Sequence, residues 1–209
     1  MMSAFSSEEA DMSLRGWLSA QGQTAPPPAL PAYAVTEAWL RRLAPAGKPA
    51  IVAGIALNFD RLAAAQGLAT RLRLCHFLAQ AAHETDGFRT LQEYGGAAYF
   101  ARYEGRRDLG NVNPGDGARY HGRGIFQLTG RANYRRYGAL IGVDIEAEPE
   151  RAMEPETSLA IALAYWRDRR IDEAADADDV ARVTRLVNGG RNGLAERTRL
   201  LALAKTIWI

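Results

Sequence analysis

The chain has 209 residues, 47% of them hydrophobic and 24% charged, with a formal net charge of +2. That length and apolar fraction suffice for one substantial core, with or without an appendage. A single cysteine, Cys75, excludes a disulfide framework, and the near-neutral balance carries no signature of nucleic-acid binding.

In chain order, residues 1–32 read as an N-terminal extension. It ends in Ala25-Pro26-Pro27-Pro28-Ala29-Leu30-Pro31, a semi-rigid proline linker. Leu14, Trp17 and Leu18 are spaced for one short helix, although a disordered tail suits the composition better. Residues 33–209 are expected to form one mainly α domain. Apolar periodicity predicts helices over about 35–44, 50–65, 70–86, 130–141, 156–168, 178–187 and 193–207. The one strand-like run, Gly124 to Thr129, is short and bounded by glycines, so the β content is minimal. No basic region followed by an apolar run opens the chain, and no stretch approaches the ~20 apolar residues of a membrane span. The expectation is a soluble protein without a signal peptide or stable membrane insertion.

Charge is unevenly spread. Residues 85–140 hold nine Arg against five acids, and residues 180–209 hold five Arg and one Lys against one acid. Residues 144–179 hold twelve acids against four Arg. If the basic stretches meet, they make a positive wall suited to an anionic polymer. Otherwise they balance the acidic segment between them.

The chemistry-bearing feature lies at residues 76–93. Leu74, Phe77, Leu78, Ala81 and Ala82 recur at helical spacing and predict a buried face, with Glu84 at its edge in the last turn before Gly87. Partial burial and the negative end of the helix dipole both disfavour a charged carboxylate, which is the environment of a general acid. The plain alternative is a polar residue closing a core helix in contact with water. Glu93, nine residues on at about 100° each, is half a turn out of phase with Glu84. The chain must therefore turn at Gly87 to carry Glu93 back across from it. Two carboxylates ~6.5–9.5 Å apart with a water between them are the equipment of an inverting glycosidase. Glu104 is a rival for the second role.

The segment from Tyr94 to Gly130 is rich in glycine and tyrosine and poor in aliphatics, which suits a cleft rim better than a core. Its tyrosines offer flat faces to sugar rings. Gly122-Arg123-Gly124 lacks the third glycine and the βαβ setting of a dinucleotide fingerprint. Ser158 is the only serine after Ser19, and no Gly-x-Ser-x-Gly elbow surrounds it. Cys75 sits in an apolar helix, poorly placed for activation. His76, His83 and His121 lack metal-ligand spacing. Carboxylate chemistry remains.

Several segments together resemble the family 19 glycoside hydrolases, the chitinase and phage-type endolysin group with a lysozyme-like fold. They are Ala82-His83-Glu84-Thr85-Asp86-Gly87-Phe88, Leu91-Gln92-Glu93-Tyr94, Tyr103-Glu104-Gly105-Arg106, Tyr120-His121-Gly122-Arg123-Gly124-Ile125-Phe126-Gln127-Leu128-Thr129-Gly130-Arg131, Asn133-Tyr134 and Val187-Asn188-Gly189-Gly190, with Arg197 behind. The resemblance implies a two-lobed lysozyme-like helical domain and an inverting, endo-acting hydrolysis of β-1,4 bonds in an N-acetylglucosamine polymer, without metal or cofactor. By it Glu84 is the general acid, Glu93 the general base, and Thr129 helps to position the attacking water. Gln127 and Asn188 bind N-acetyl groups or hydroxyls, and Arg197 steadies the base side of the cleft. Tyr120 and Asn133 are further subsite contacts. His83, beside the acid, joins the substrate-binding set, with simple packing as its alternative.

His121, Phe126 and Val187 depart from the family's usual residues. The plant enzymes' cysteine framework and extra loops are absent, which points to the compact bacterial or phage branch. Peptidoglycan is therefore the expected polymer, with chitin the alternative and an inactive wall-binding protein the reading from another class. A monomer is expected, held in the cytoplasm until a holin-type release.

Overall fold

The computed structural model describes residues 34–209. The N-terminal extension and its Leu14-Trp17-Leu18 helix lie outside the described residues. Helix α1, Glu37–Leu43, opens at Thr36, whose hydroxyl accepts the Trp39 N–H. Helix α2, Pro49–Ala65, begins on a proline that needs no hydrogen-bond partner there. Helix α3, Arg71–Glu84, is capped by Thr70. The glycine-rich middle folds into the single-turn helices α4, Ala97–Phe100, and α5, Asp116–Arg119, with 3-10 turns at Ala101–Tyr103 and Arg107–Leu109. Then come α6, Arg131–Ile141, and a 3-10 turn at Pro149–Met153. Helices α7, Pro155–Asp168, α8, Ile171–Asp176, α9, Val180–Asn188, and α10, Leu194–Ile207, complete the chain.

The long helices lie within two residues of their predicted bounds. Helix α8 has no counterpart in the periodicity, because six residues give too little of it to separate from a loop. Gly124 to Thr129 is a turn rather than a strand. Among the described residues, β pairing is limited to isolated antiparallel bridges from Arg123 to Gln92 and to Leu128. None of the described helices is long and apolar enough to cross a membrane.

Helix α3 departs from the one-face expectation. Every residue from Leu74 to Ala82 is buried, so it is a central helix. Helix α10 packs along it, and α8 and α9 close its other sides. The small side chains of Ala79, Ala81 and Ala82 allow that close approach. Two polar residues are buried with them: His76, whose Nε2 lies 2.8 Å from Asp178, and Gln80. Phe77 is the hub of an aromatic cluster. Its ring meets Phe59 at 5.8 Å and both Phe126 and Trp166 at 5.4 Å, edge to face.

The two basic stretches do not form a continuous positive wall. Arg123 pairs with Glu150, Arg135 with Glu146, Arg136 with Asp168, Arg182 with Glu173 and Lys205 with Asp178, all acids of residues 144–179. Arg131 is shared between Asp116 and Glu146. Charge balancing is the better description.

Phe77→Ala is expected to destabilise the fold by about 3–5 kcal/mol, because it empties the hub of the aromatic cluster. Leu57→Ala, at a residue 83% exposed, should cost less than about 0.5 kcal/mol. Urea unfolding of the two variants checks both values.

Candidate active site

Helix α3 ends just before Gly87, as its sequence predicts, and Thr85 closes it. The Thr85 hydroxyl donates to Ala81 O at 2.7 Å and accepts the Phe88 N–H at 2.9 Å. The chain then reverses through left-handed residues at Asp86, Gly87 and Phe88, with φ of 52, 68 and 59°. Phe88 is buried as an anchor beyond the turn. The returning chain is pinned at Glu93, whose N–H donates to Gly122 O at 2.9 Å.

Glu84 lines a cleft of about 400 Å³ together with Phe126, Gln127, Thr129, Tyr165 and Asn188. Its Oε1 accepts from Arg197 Nη2 at 2.6 Å, and its side chain is 16% exposed. Arg197 itself is 1% exposed. Its Nε donates to Asn192 O at 3.0 Å and its Nη1 to Gln80 Oε1. The resemblance implies that Arg197 steadies the base side. Instead it lies beneath the expected acid, because the tight packing of α10 on α3 brings the two helices' polar groups together. It is too deeply buried to touch a sugar.

Glu93 has different surroundings. Its Oε1 accepts from Arg102 Nη2 at 2.6 Å and from the Tyr103 hydroxyl at 2.8 Å. Its Oε2 accepts the Gly122 N–H at 3.1 Å. Burial pushes the Tyr103 phenol up; Arg102 opposes this and Glu93 adds to it, so at neutral pH Tyr103 is a donor. Gly122 has no room for a β-carbon, which would stand 2.9 Å from Gln127 Oε1 and 3.0 Å from Glu93 Oε2. That close approach joins Glu93 to the cleft wall. Glu104, by contrast, spends its two oxygens on the N–H groups of Gly115 and Gly117, at 2.7 and 2.8 Å. It ties a loop together.

Gln127 adopts φ of 50°, a left-handed conformation that costs a non-glycine residue energy. Its Nε2 donates to Gly124 O at 3.0 Å, while Oε1 is buried without a partner among the described residues. An unmet acceptor beside a cleft suits an incoming N–H. Thr129 donates to Gln127 O at 3.0 Å, which leaves its hydroxyl oxygen free to accept. Asn133 lines the same cleft, its Nδ2 bonded to Thr129 O at 2.7 Å. Asn188 Oδ1 accepts from Gly190 N at 2.8 Å and its Nδ2 donates to Asn192 O at 3.2 Å, so its amide shapes the Asn-Gly-Gly turn.

Two expected substrate contacts are not brought to the cleft. Tyr120 is buried, with its hydroxyl bonded to Glu146 O at 3.0 Å and its ring under Arg131. Gly130 N donates to Tyr120 O at 2.8 Å, which ties this loop to the start of α6. His83 packs on Gly193, where a β-carbon would stand 2.3 Å from the imidazole, and its Nδ1 lies 3.0 Å from Glu196. Packing is therefore its role. His121 stacks flat on Phe100 at 4.0 Å. Phe126 lines the cleft and roots it in the aromatic cluster.

The site also contains residues to which neither the spacing nor the resemblance gives a role: Gln80, Arg102, Tyr103, Tyr165 and Arg169, although Tyr103 opens one of the resembling segments. Gln80 precedes Glu84 by one helical turn, and that i, i+4 spacing is a signal the sequence does carry. Nothing in the spacing marks the others.

A family model described as class I chitinase matches residues 49–185. A glycosyl hydrolase family 19 domain-containing protein of Haemophilus influenzae is 32% identical over 162 residues, spanning 64% of this chain and 79% of that protein. Acidic endochitinase Q of Nicotiana tabacum is 32% identical over 100 residues, 47% of this chain and 36% of the plant protein. Chitinase C from Streptomyces griseus superposes with a TM-score of 0.70 at 21% identity, covering 84% of this chain and 77% of that one, a likeness of fold. The family match runs through both glutamates, the 121–129 loop and most of α9: the chain belongs to the family 19 glycoside hydrolases.

Proposed function

We propose that the protein hydrolyses β-1,4 bonds of an N-acetylglucosamine polymer with inversion, Glu84 giving the proton and Glu93 activating the water. The observation that carries this reading is the unlike bonding of the two carboxylates. Glu84 accepts from one donor, Arg197, and stands in a cleft of mixed wall, with Phe126, Leu128 and Val187 beside Gln127, Thr129 and Arg169. Glu93 accepts three hydrogen bonds, which fix its side chain in one position to act as the base. In the reaction Glu84 protonates the leaving oxygen as the glycosidic bond breaks. A water held by Thr129 attacks the anomeric carbon from the other face and passes its proton to Glu93. Gln127 Oε1 takes the N-acetyl N–H.

Peptidoglycan is the polymer we favour. Arg169 lines the cleft over the Tyr165 ring, 4.5 Å from its centroid, and forms no ion pair with an acid among the described residues. A cation without a counter-charge suits the carboxylates of stem peptides, which chitin lacks. An endolysin role would keep the protein in the cytoplasm until a holin-type pore released it. The second reading, chitin, is supported by the names of the plant and Streptomyces relatives and by the neutralised basic stretches.

Glu84→Gln should lower hydrolysis of a chitin oligomer by about 10²–10⁴-fold while calorimetric affinity for the oligomer is kept; survival of activity would overturn the donor assignment. Glu93→Gln should abolish turnover at a near-native Tm, whereas Glu104→Gln should cost about 1–3 kcal/mol of stability and retain turnover. Proton NMR of the first product should show the inverted anomer. Arg169→Ala should slow clearing of stripped bacterial cells and leave oligomer hydrolysis close to wild type. Oligomer cleavage with no clearing by the wild type would select chitin.

A further inference from the structure

We propose that Gln80 is a positioning residue for the proton donor: by accepting one N–H of Arg197 it sets how much of the guanidinium charge reaches Glu84. The inference rests on Glu84 being that donor.

Arg197 poses a chemical problem. A cation 2.6 Å from Glu84 stabilises the carboxylate, yet a general acid must keep its proton. The guanidinium is fully buried, so water does not screen it. Its charge is instead divided among fixed acceptors. Each nitrogen has one partner: Nε bonds Asn192 O, Nη1 bonds Gln80 Oε1 and Nη2 bonds Glu84 Oε1. Gln80 is the only one of these partners that is neutral, supplied by a side chain and on the same helix as the acid, one turn before it.

The Gln80 amide cannot reverse without loss. Its Nε2 lies 3.3 Å from Thr184 Oγ1, and that hydroxyl already donates its one proton to Val180 O at 2.7 Å. Thr184 can therefore only accept, which keeps the NH₂ toward α9 and the oxygen toward Arg197. Gln80 is fully buried, so water cannot replace either bond. The chain Val180–Thr184–Gln80–Arg197–Glu84 thus runs from α9 through α3 and α10 to the cleft.

Other charged or titratable groups also face the donor. Arg197 comes from α10, with Glu196 beside it and engaged by His83. Tyr165 comes from α7 and Arg169 from just beyond its end. Glu93, paired with Arg102, approaches the cleft wall beside Gly122 and Gln127. Among these charged groups only Arg197 bonds Gln80, so substituting Gln80 reaches the donor through Arg197 alone.

The test is the pH dependence of kcat/KM on a defined oligomer, whose alkaline limb follows loss of the donor's proton. Gln80→Glu places a second carboxylate on Arg197, shares its charge and should move that limb up by about one pH unit. Gln80→Met removes the acceptor, leaves Arg197 to Glu84 and should move it down by a similar amount. Gln80→Leu, likewise without an acceptor, should follow Gln80→Met, which keeps the test intact if one Gln80 variant does not fold. Thermal unfolding reports each variant's integrity. A purely structural Gln80 would lower Tm and kcat with the limb in place, and limbs that stay put or move the same way in Glu and Met variants overturn the proposal. Glu84→Gln separates the two ideas. If it is active, the donor reading fails; if it is inactive while the limbs stay fixed, only the role of Gln80 fails.

Discussion

The buried guanidinium of Arg197 is the constraint on which the Glu84 side of the cleft depends. It reaches Glu84 and Gln80 on α3 and the carbonyl of Asn192 in the loop before α10. One planar group therefore ties the end of the central helix to the helix packed along it. Five N–H donors in a rigid fork serve this purpose where a lysine ammonium would not. Removing the Glu84 carboxylate would leave a fully buried cation without its counter-charge, a loss of about 3–5 kcal/mol. Fold stability and the position of the proposed acid rest on the same contact.

The Glu93 side is built differently. Glu93 stands on returning chain, and its partners Arg102, Tyr103 and Gly122 come from the glycine-rich middle. That segment has almost no core of its own, so local hydrogen bonds must organise it. Glu104 clasps Gly115 and Gly117, and Asp116 takes the N–H groups of Val112 and Asn113 and the Arg131 guanidinium. The proposed acid is held by packed helices and the proposed base by a laced loop. Phe126 links the two, since one ring forms part of the cleft wall and also packs against Phe77 and Trp166.

Charge follows the same economy. Arg123, Arg131, Arg135 and Arg136 of the middle segment pair with acids of residues 144–179 across the fold. Arg169 is left in the cleft with an aromatic ring beneath it. A charge pattern along the chain says little about the surface field until the pairing is known. The same pairing that removes a basic wall gives one cleft cation its significance.

Much is legible in the sequence because it is local. Helix periodicity, Thr and Pro at helix starts, and the turn after Glu84 all act over a few residues, so the helix ends and the chain reversal between Glu84 and Glu93 can be read directly. The family resemblance extends this to Gln127, Thr129, Asn133 and Asn188, which do line one cleft. The orientation of Tyr120, the packing of His83 and the side on which Arg197 acts are not legible. Each depends on which distant segments touch, and the Arg197–Glu84 pair spans 113 residues. The sequence by itself determined the helices and the two carboxylates. Only the tertiary structure decided which arginine meets which acid, because an ion pair between separate helices is set by how they pack, and no spacing along the chain encodes that.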